Sequence, residues 1–155
     1  MVNLSASSGA SVLYRVIYIS ASKTLLDAAG IEEILMRSRR NNAKCGVTGV
    51  LLYHDGGFLQ VLEGLRAPVE RVFAAICADP RHHGVIKLWR GPVAVRLFGD
   101  WRMGFVPPDD WHGLGGEDEV IDLRRLLHSA APWYQDRITG PLLRRFLRSY
   151  RDLPP

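Results

Sequence analysis

Cysteine is scarce in this chain: Cys45 and Cys77 stand far apart and outside any Cys-x-x-Cys pair. That spacing gives no zinc knuckle and no dithiol redox motif, and it fits a reducing cytoplasm with Cys77 as a small core residue. No apolar run approaches the ~20 residues of a membrane span, so no membrane partner is expected. Residues 1–11 have neither a basic start nor an apolar centre, unlike a secretory signal. Residues 1–12 read as a polar, disordered tail. Gly-x-Gly-x-x-Gly, the P-loop and Gly-x-Ser-x-Gly are all missing, and with them the usual phosphate cradles and the serine-hydrolase elbow. Asp55 and Glu63 are too far apart along one hairpin to persuade as an acid pair. His82 and His83 are adjacent, and sequence neighbours rarely chelate one ion; no third ligand stands at metal spacing, so no metal is expected. No internal repeat or low-complexity segment is present.

What is there is one domain of ordinary size with an appended element, at 155 residues and 47% hydrophobic. The net charge of +4 permits an acidic partner but supports nucleic-acid binding only if the basic residues cluster.

The stretch GVTGVLLYHDGGFLQVLEG, from Gly46 to Gly64, organises the rest. Val47 to Tyr53 is nearly unbroken apolar, as in a strand covered on both faces. Asp55-Gly56-Gly57 supplies a turn. On the return strand Phe58, Gln60 and Leu62 share a face. Gln60 is out of place there, because a buried amide must find partners or cost roughly 1–3 kcal/mol. A structural glutamine bonded to nearby backbone is the plain alternative.

Leu13 to Ser20 reads as a first strand with Tyr14, Val16, Tyr18 and Ser20 on one face. Asp27 can cap a helix running to about Asn42, with the inner stripe Ile31, Ile34, Leu35, Ser38, Asn42. That stripe turns polar without leaving the inner face, although Ser38 bonding back to a carbonyl and Asn42 as a C-terminal cap are simpler readings. A second helix spans about Ala67 to Ala78, and Arg81 to Gly84 reads as a polar loop. Val85 to Trp89, extended by Val93 to Leu97, is a fourth strand. Asp100 to Val106 is a fifth, with Trp101, Met103 and Phe105 on one face. Pro107-Pro108 and the glycines of 113–117 mark a boundary. Two amphipathic helices follow, Glu119 to Ser129 and one capped by Thr139, whose apolar faces suit the free side of the sheet.

The order β-α-β-β-α-β-β-α-α makes the fold class α+β: a ferredoxin-like sandwich with two C-terminal helices on the other sheet face. In that topology the first and third strands are neighbours, so Tyr18 and Gln60 can meet, with Ser38 and Asn42 facing the same space. The result is a slot for a flat, mostly apolar ring with amide edges, such as a flavin.

LYRVIYIS, SRRNNAKCGVTGVLLYHDGGFLQVLEG and DPRHHGVIKLWRGPVAVRLFGDWRMGF together resemble BLUF domains, the blue-light sensors using FAD, over about Leu13 to Phe105. The resemblance implies a flavin-binding domain at 13–106 and a helical extension at 107–155, as in short BLUF proteins. It implies FAD as cofactor, Tyr18 as photoactive tyrosine, Gln60 as switching glutamine, and Asn42 at the flavin edge. Ile34, Ser38 and Asn41 line the same ring; Arg37, Arg81, His82 and Lys87 are candidates for the adenine and phosphates. Trp101 and Met103 match a mobile fifth-strand pair that relays the signal. Excitation draws an electron and then a proton from Tyr18, the Gln60 amide tautomerises or rotates, and the hydrogen bonds are rearranged with no net chemistry. The expected protein is therefore a cytoplasmic photoreceptor and not an enzyme. Its expected partners are a downstream effector protein and further copies of itself, with no direct nucleic acid. Two alternatives stand beside it: a flavin-dependent enzyme, which would turn over a reductant, and a colourless ferredoxin-like binding or adaptor protein.

Overall fold

The structure, a computed structural model, describes residues 12–99, 101–106 and 132–151. The expected tail at 1–12 (all but its last residue), the boundary at 107–117 and the helix at Glu119–Ser129 lie outside the described residues.

Strand β1 (Leu13–Ser22) is followed by helix α1 (Ala28–Cys45), the hairpin β2 (Thr48–His54) and β3 (Gly57–Leu65), helix α2 (Arg66–Ala78), the long strand β4 (His82–Val93), the short strand β5 (Gly104–Val106), and helices α3 (Pro132–Gln135) and α4 (Thr139–Arg151). The five strands lie in the order β4-β1-β3-β2-β5. All neighbours are antiparallel except β2 and β5, which run parallel. The fold is thus α+β and ferredoxin-like, with an added parallel edge strand.

Alternation along each strand sorts its side chains into two cores. Tyr14, Val16 and Tyr18 of β1 pack with Phe58 and Leu62 of β3, Ile31, Ile34 and Leu35 of α1, and Val69 of α2. Ile17, Leu59 and Val61 point the opposite way and pack against Trp133, Leu143 and Leu147. Both faces are therefore covered at β1, β2 and β3, while β4 stays largely exposed, and β2 reads as an unbroken apolar run for that reason.

Local chemistry fixes the connections. Asp27 opens α1, its carboxylate accepting from the Gly30 amide at 2.9 Å. The helix runs three residues past Asn42 and stops at Gly46, whose left-handed φ of 68° lets its amide bond back to the Asn42 carbonyl. Asn42 is therefore interior to the helix and not its cap. Asp55 and Gly56 both take positive φ, 46° and 79°, the signature of a type I′ hairpin turn. Gly49 has no room for a side chain: a Cβ there would sit 1.9 Å from the Val61 carbonyl oxygen.

Several local expectations are overturned, among them Cys77, which is exposed and not a core residue. His82 and His83 do not form a loop; they begin β4, paired with Ser22 and Ala21. β4 ends at Val93, so Ala94 to Leu97 is not a strand. The fifth strand shrinks from Asp100–Val106 to Gly104–Val106, and Trp101 and Met103 do not share a face. The physical reason is Glu63. Its buried carboxylate accepts the amides of Leu97, at 2.9 Å, and Phe98, at 2.7 Å, which a strand would give to a neighbour. The Trp101 amide then closes a turn on the Phe98 carbonyl. The chain crosses the sheet edge here, leaving Phe98 and Trp101 with the α4-side core and Met103 with the α1-side core.

Nor does Thr139 cap the last helix. Instead Asp136 does so, its carboxylate accepting the Thr139 amide at 2.8 Å and the Ile138 amide at 3.2 Å. Leu143 and Leu147 bury the helix on the sheet, while Arg145 and Arg148 face outward.

Candidate functional site

The β1–β3 register sets Tyr18 directly opposite Gln60. Both point to the helix side, and both are buried, at 0% and 3% exposure. The Tyr18 hydroxyl donates to Gln60 Oε1. The other end of the carboxamide, Nε2, donates to Met103 Sδ at 3.2 Å. Each polar end of the anomalous glutamine is thus satisfied by a side chain, not by nearby backbone. Burial, helped by the charges of Cys77 and Asp79, pushes the Tyr18 phenol well above its ordinary range, so it holds its proton at neutral pH.

Beside Gln60 lies a cavity of about 590 Å³ between α1 and α2, within the roughly 300–1,000 Å³ of small-molecule sites. α1 contributes Ile34, Arg37, Ser38, Asn41, Asn42 and Cys45; α2 contributes Arg71, Val72, Ala75, Ile76 and Ala78; Asp79, Pro80 and Arg81 follow. The polar turn of the α1 stripe is therefore a real wall. Ile34, Val72 and Ile76 supply apolar contact, and three carboxamides, Asn41, Asn42 and Gln60, supply both donors and acceptors. Three guanidiniums against one carboxylate leave the lining positive.

Asn42 Nδ2 donates to the Arg102 carbonyl at 2.7 Å. One step on, Arg39 Nε donates to the Met103 carbonyl at 3.0 Å. These two contacts from α1 hold the segment that presents Met103. Neither was legible beforehand, because their targets are backbone carbonyls of a segment expected to be strand.

The remaining site residues scatter. Arg81 lines the cavity but is forked onto Asp79, with Nη2 at 2.6 Å from Oδ2. Hydrogen bonds from Arg81 hold the Asp79 carboxyl at about 2. His82 does not line the cavity; its ring packs tilted at 49° against Phe58, with centres 4.9 Å apart, and shares a hydrogen bond with Ser20 Oγ at 2.9 Å. Burial lowers the His82 imidazole, with the Asp79 carboxylate working against that and Arg81 adding to it. Lys87 also lies outside the cavity wall, its Nζ 5.1 Å from the Phe73 ring centre. Trp101 is on the opposite side of the sheet, 6.1 Å from Phe98. Sequence reasoning missed Arg71 and Cys45. Arg71 had one usable signal: it stands four residues before Ala75, alongside the apolar stripe of α2.

A flat ring with amide edges and an anionic tail fits this set of walls. Apolar side chains would meet the ring faces, carboxamides its edges, and guanidiniums the phosphates. FAD has that composition. Among the described residues no His/Cys/Asp/Glu group could hold a metal ion.

The family model described as BLUF, sensors of blue-light using FAD, matches residues 13–104. Photoactivated adenylate cyclase subunit alpha of Euglena gracilis is 37% identical over 97 residues, covering 61% of this chain and 10% of its own length. The blue light- and temperature-regulated antirepressor BluF of Escherichia coli (strain K12) is 39% identical over 69 residues, 44% of this chain and 17% of its own. The chain thus spans a small part of the curated relatives it matches. Among solved structures, the dark state of BlrB, a BLUF protein, superposes with a TM-score of 0.63 at 28% identity, covering 91% of this chain and 96% of that one. Klebsiella pneumoniae BlrP1, in a manganese and cyclic diGMP complex at pH 6, gives 0.70 at 29% identity, covering 88% of this chain and 33% of that one.

Proposed function

The chain belongs to the BLUF family, sensors of blue light using FAD, and from that membership we propose how its own residues register light. It is a blue-light-sensing flavin domain. The observation that carries the residue-level reading is the buried row Tyr18–Gln60–Met103, hydrogen-bonded end to end beside the cavity.

Bound FAD supplies a ring that absorbs blue light and, once excited, is a strong oxidant. Ile34, Val72 and Ile76 would hold the ring faces; Asn42, Asn41, Ser38 and Gln60 would serve its edges. Arg37, Arg71 and Arg81 favour the phosphates, with Arg81 already shared with Asp79. His82 and Lys87 act from outside the wall, as packing partners of Phe58 and Phe73. Tyr18 is the residue that gives up an electron and its hydroxyl proton and takes both back. It suits that task because burial keeps the phenol protonated until it is called on. Gln60 is the switch, since its two ends exchange donor and acceptor character when the amide turns or tautomerises. With Oε1 on Tyr18 and Nε2 on Met103, turning the amide would reverse the first contact and break the second, because a thioether sulfur has no proton to donate. A reversed hydrogen bond is worth about 1 kcal/mol, enough to bias a balanced element but not to force a large one. Met103 is the first residue to feel it.

The chain senses and does not turn over substrate. Its partner is an effector protein, read through the 97–106 segment and α4, with a homo-oligomer of two or more copies as the working form. The flavin unit is 13–106 and the extension 107–155. The setting is cytoplasmic, where a reducing environment suits the two free thiols; no described helix is long and apolar enough to cross a membrane.

The deciding experiment is an absorption spectrum of the purified protein before and after blue light. A flavin spectrum that shifts reversibly to the red, with no consumption of added reductant, is expected. A colourless protein, or one inert to light, defeats the reading; steady oxidation of a reductant would favour a flavin enzyme.

A further inference from the structure

Arg15 and Glu63 are a buried ion pair that the light reaction at Tyr18 and Gln60 does not use. Their side chains are 3% and 0% exposed, on the sheet face away from the cavity, with Arg15 Nη2 2.9 Å from Glu63 Oε2. β1 and β3 place them opposite each other, three residues from Tyr18 and Gln60 along the same strands. A pair this dry is costly to bury and needs its remaining valences satisfied. How they are satisfied is informative.

Glu63 spends its other capacity on the amides of Leu97 and Phe98. These open the segment that crosses the sheet edge and delivers Met103 to Gln60. Arg15 spends its remaining N–H groups on the Val95 carbonyl, at 3.0 Å, and on Thr139 Oγ1, at 3.4 Å. Its Nη1 also lies 3.7 Å from Asp136 Oδ2, the carboxylate that caps α4. A continuous polar contact thus runs from the Met103 segment, through Glu63 and Arg15, to the first turn of the C-terminal helix.

We propose that Arg15 and Glu63 form a clamp joining the Met103 segment to the capped start of α4, and are positioning residues for the output of the light reaction. The inference rests on the blue-light reading above and adds its route. Glu63 fixes residues 97 and 98, so a displacement of Met103 turns the segment about that point. Phe98 and Trp101, packed in the core that also holds Leu143 and Leu147, turn with it. Arg15 passes the load to the helix cap.

The test uses the full chain with FAD bound. Light-minus-dark hydrogen exchange is followed over residues 97–106 and 132–151 in the wild type, Glu63→Gln and Asp136→Asn. The second variant keeps the capping oxygen and removes its charge, so it tests the clamp even if Glu63→Gln does not fold. Flavin absorbance is recorded in the same samples. The clamp predicts that the wild-type helix changes its exchange on illumination. It predicts that the folded variants keep flavin and the spectral shift but lose that change in 139–148. A wild-type helix that exchanges alike in light and dark, or a folded variant that keeps the wild-type light response, overturns the clamp. A wild type with no spectral shift overturns the blue-light reading instead.

Discussion

Gln60 Nε2 and Met103 Sδ meet at 3.2 Å in the core, joining the third strand to a segment that is not yet strand when it arrives. Sulfur is a weak acceptor, so this contact is easily exchanged for another. Met103→Leu keeps the volume and removes the acceptor. It should cost less than about 1.5 kcal/mol in stability, leave flavin binding intact, and change the rate at which the dark spectrum returns. Flash illumination with denaturant titration measures both; an unaltered recovery rate would show that sulfur plays no part.

Tyr18→Phe removes one hydroxyl and leaves Gln60 Oε1 without its donor. The expected cost is about 1–2 kcal/mol. The flavin should bind at full occupancy and the reversible red shift should vanish. Survival of the shift would place the donor elsewhere.

Arg71 lines the cavity and the Arg81 guanidinium is already committed to Asp79. Arg71→Ala should therefore weaken FAD about tenfold, or ~1.4 kcal/mol, while riboflavin, which lacks phosphate, binds as before. Titrating the flavin-free protein with each ligand gives the ratio, and equal losses for both would remove the phosphate role.

His82 gives the fold a pH dependence of its own. Burial lowers its imidazole in the fold, with Asp79 opposing and Arg81 assisting. The unfolded chain therefore binds the proton first. Its contribution to stability is present above the unfolded value of about 6.5 and is lost as pH falls through the folded one. Urea midpoints should drop between about pH 7.5 and about pH 5.5. His82→Gln should flatten that part of the profile, and an equal slope in the variant would contradict it.

Much of this was legible in the chain. Period-two alternation sorted Tyr18 and Gln60 onto one face, and Asp55-Gly56 announced the hairpin that brings the strands into register. The polar turn of the α1 stripe at Ser38 and Asn42 marked the cavity wall. What failed was the stretch from Ala94 to Met103. Its apolar spacing imitates strand, and nothing within it reveals that a carboxylate thirty-four residues earlier will take the Leu97 amide. For the same reason Trp101 and Met103 were placed on one face when the chain turns between them.

Element order, alternation and turn residues by themselves determined the fold class and allowed Tyr18 to meet Gln60; FAD as the ligand rested on the likeness to BLUF domains. The fold class and that meeting depend on periodicity, which is local. The tertiary structure alone decided which partner each end of the Gln60 amide takes, that Asn42 reaches Arg102, and that Arg15 and Glu63 connect sheet, loop and final helix. Such choices turn on buried polar groups finding whichever donor or acceptor the packed chain brings within reach, and no reading along the sequence contains that distance.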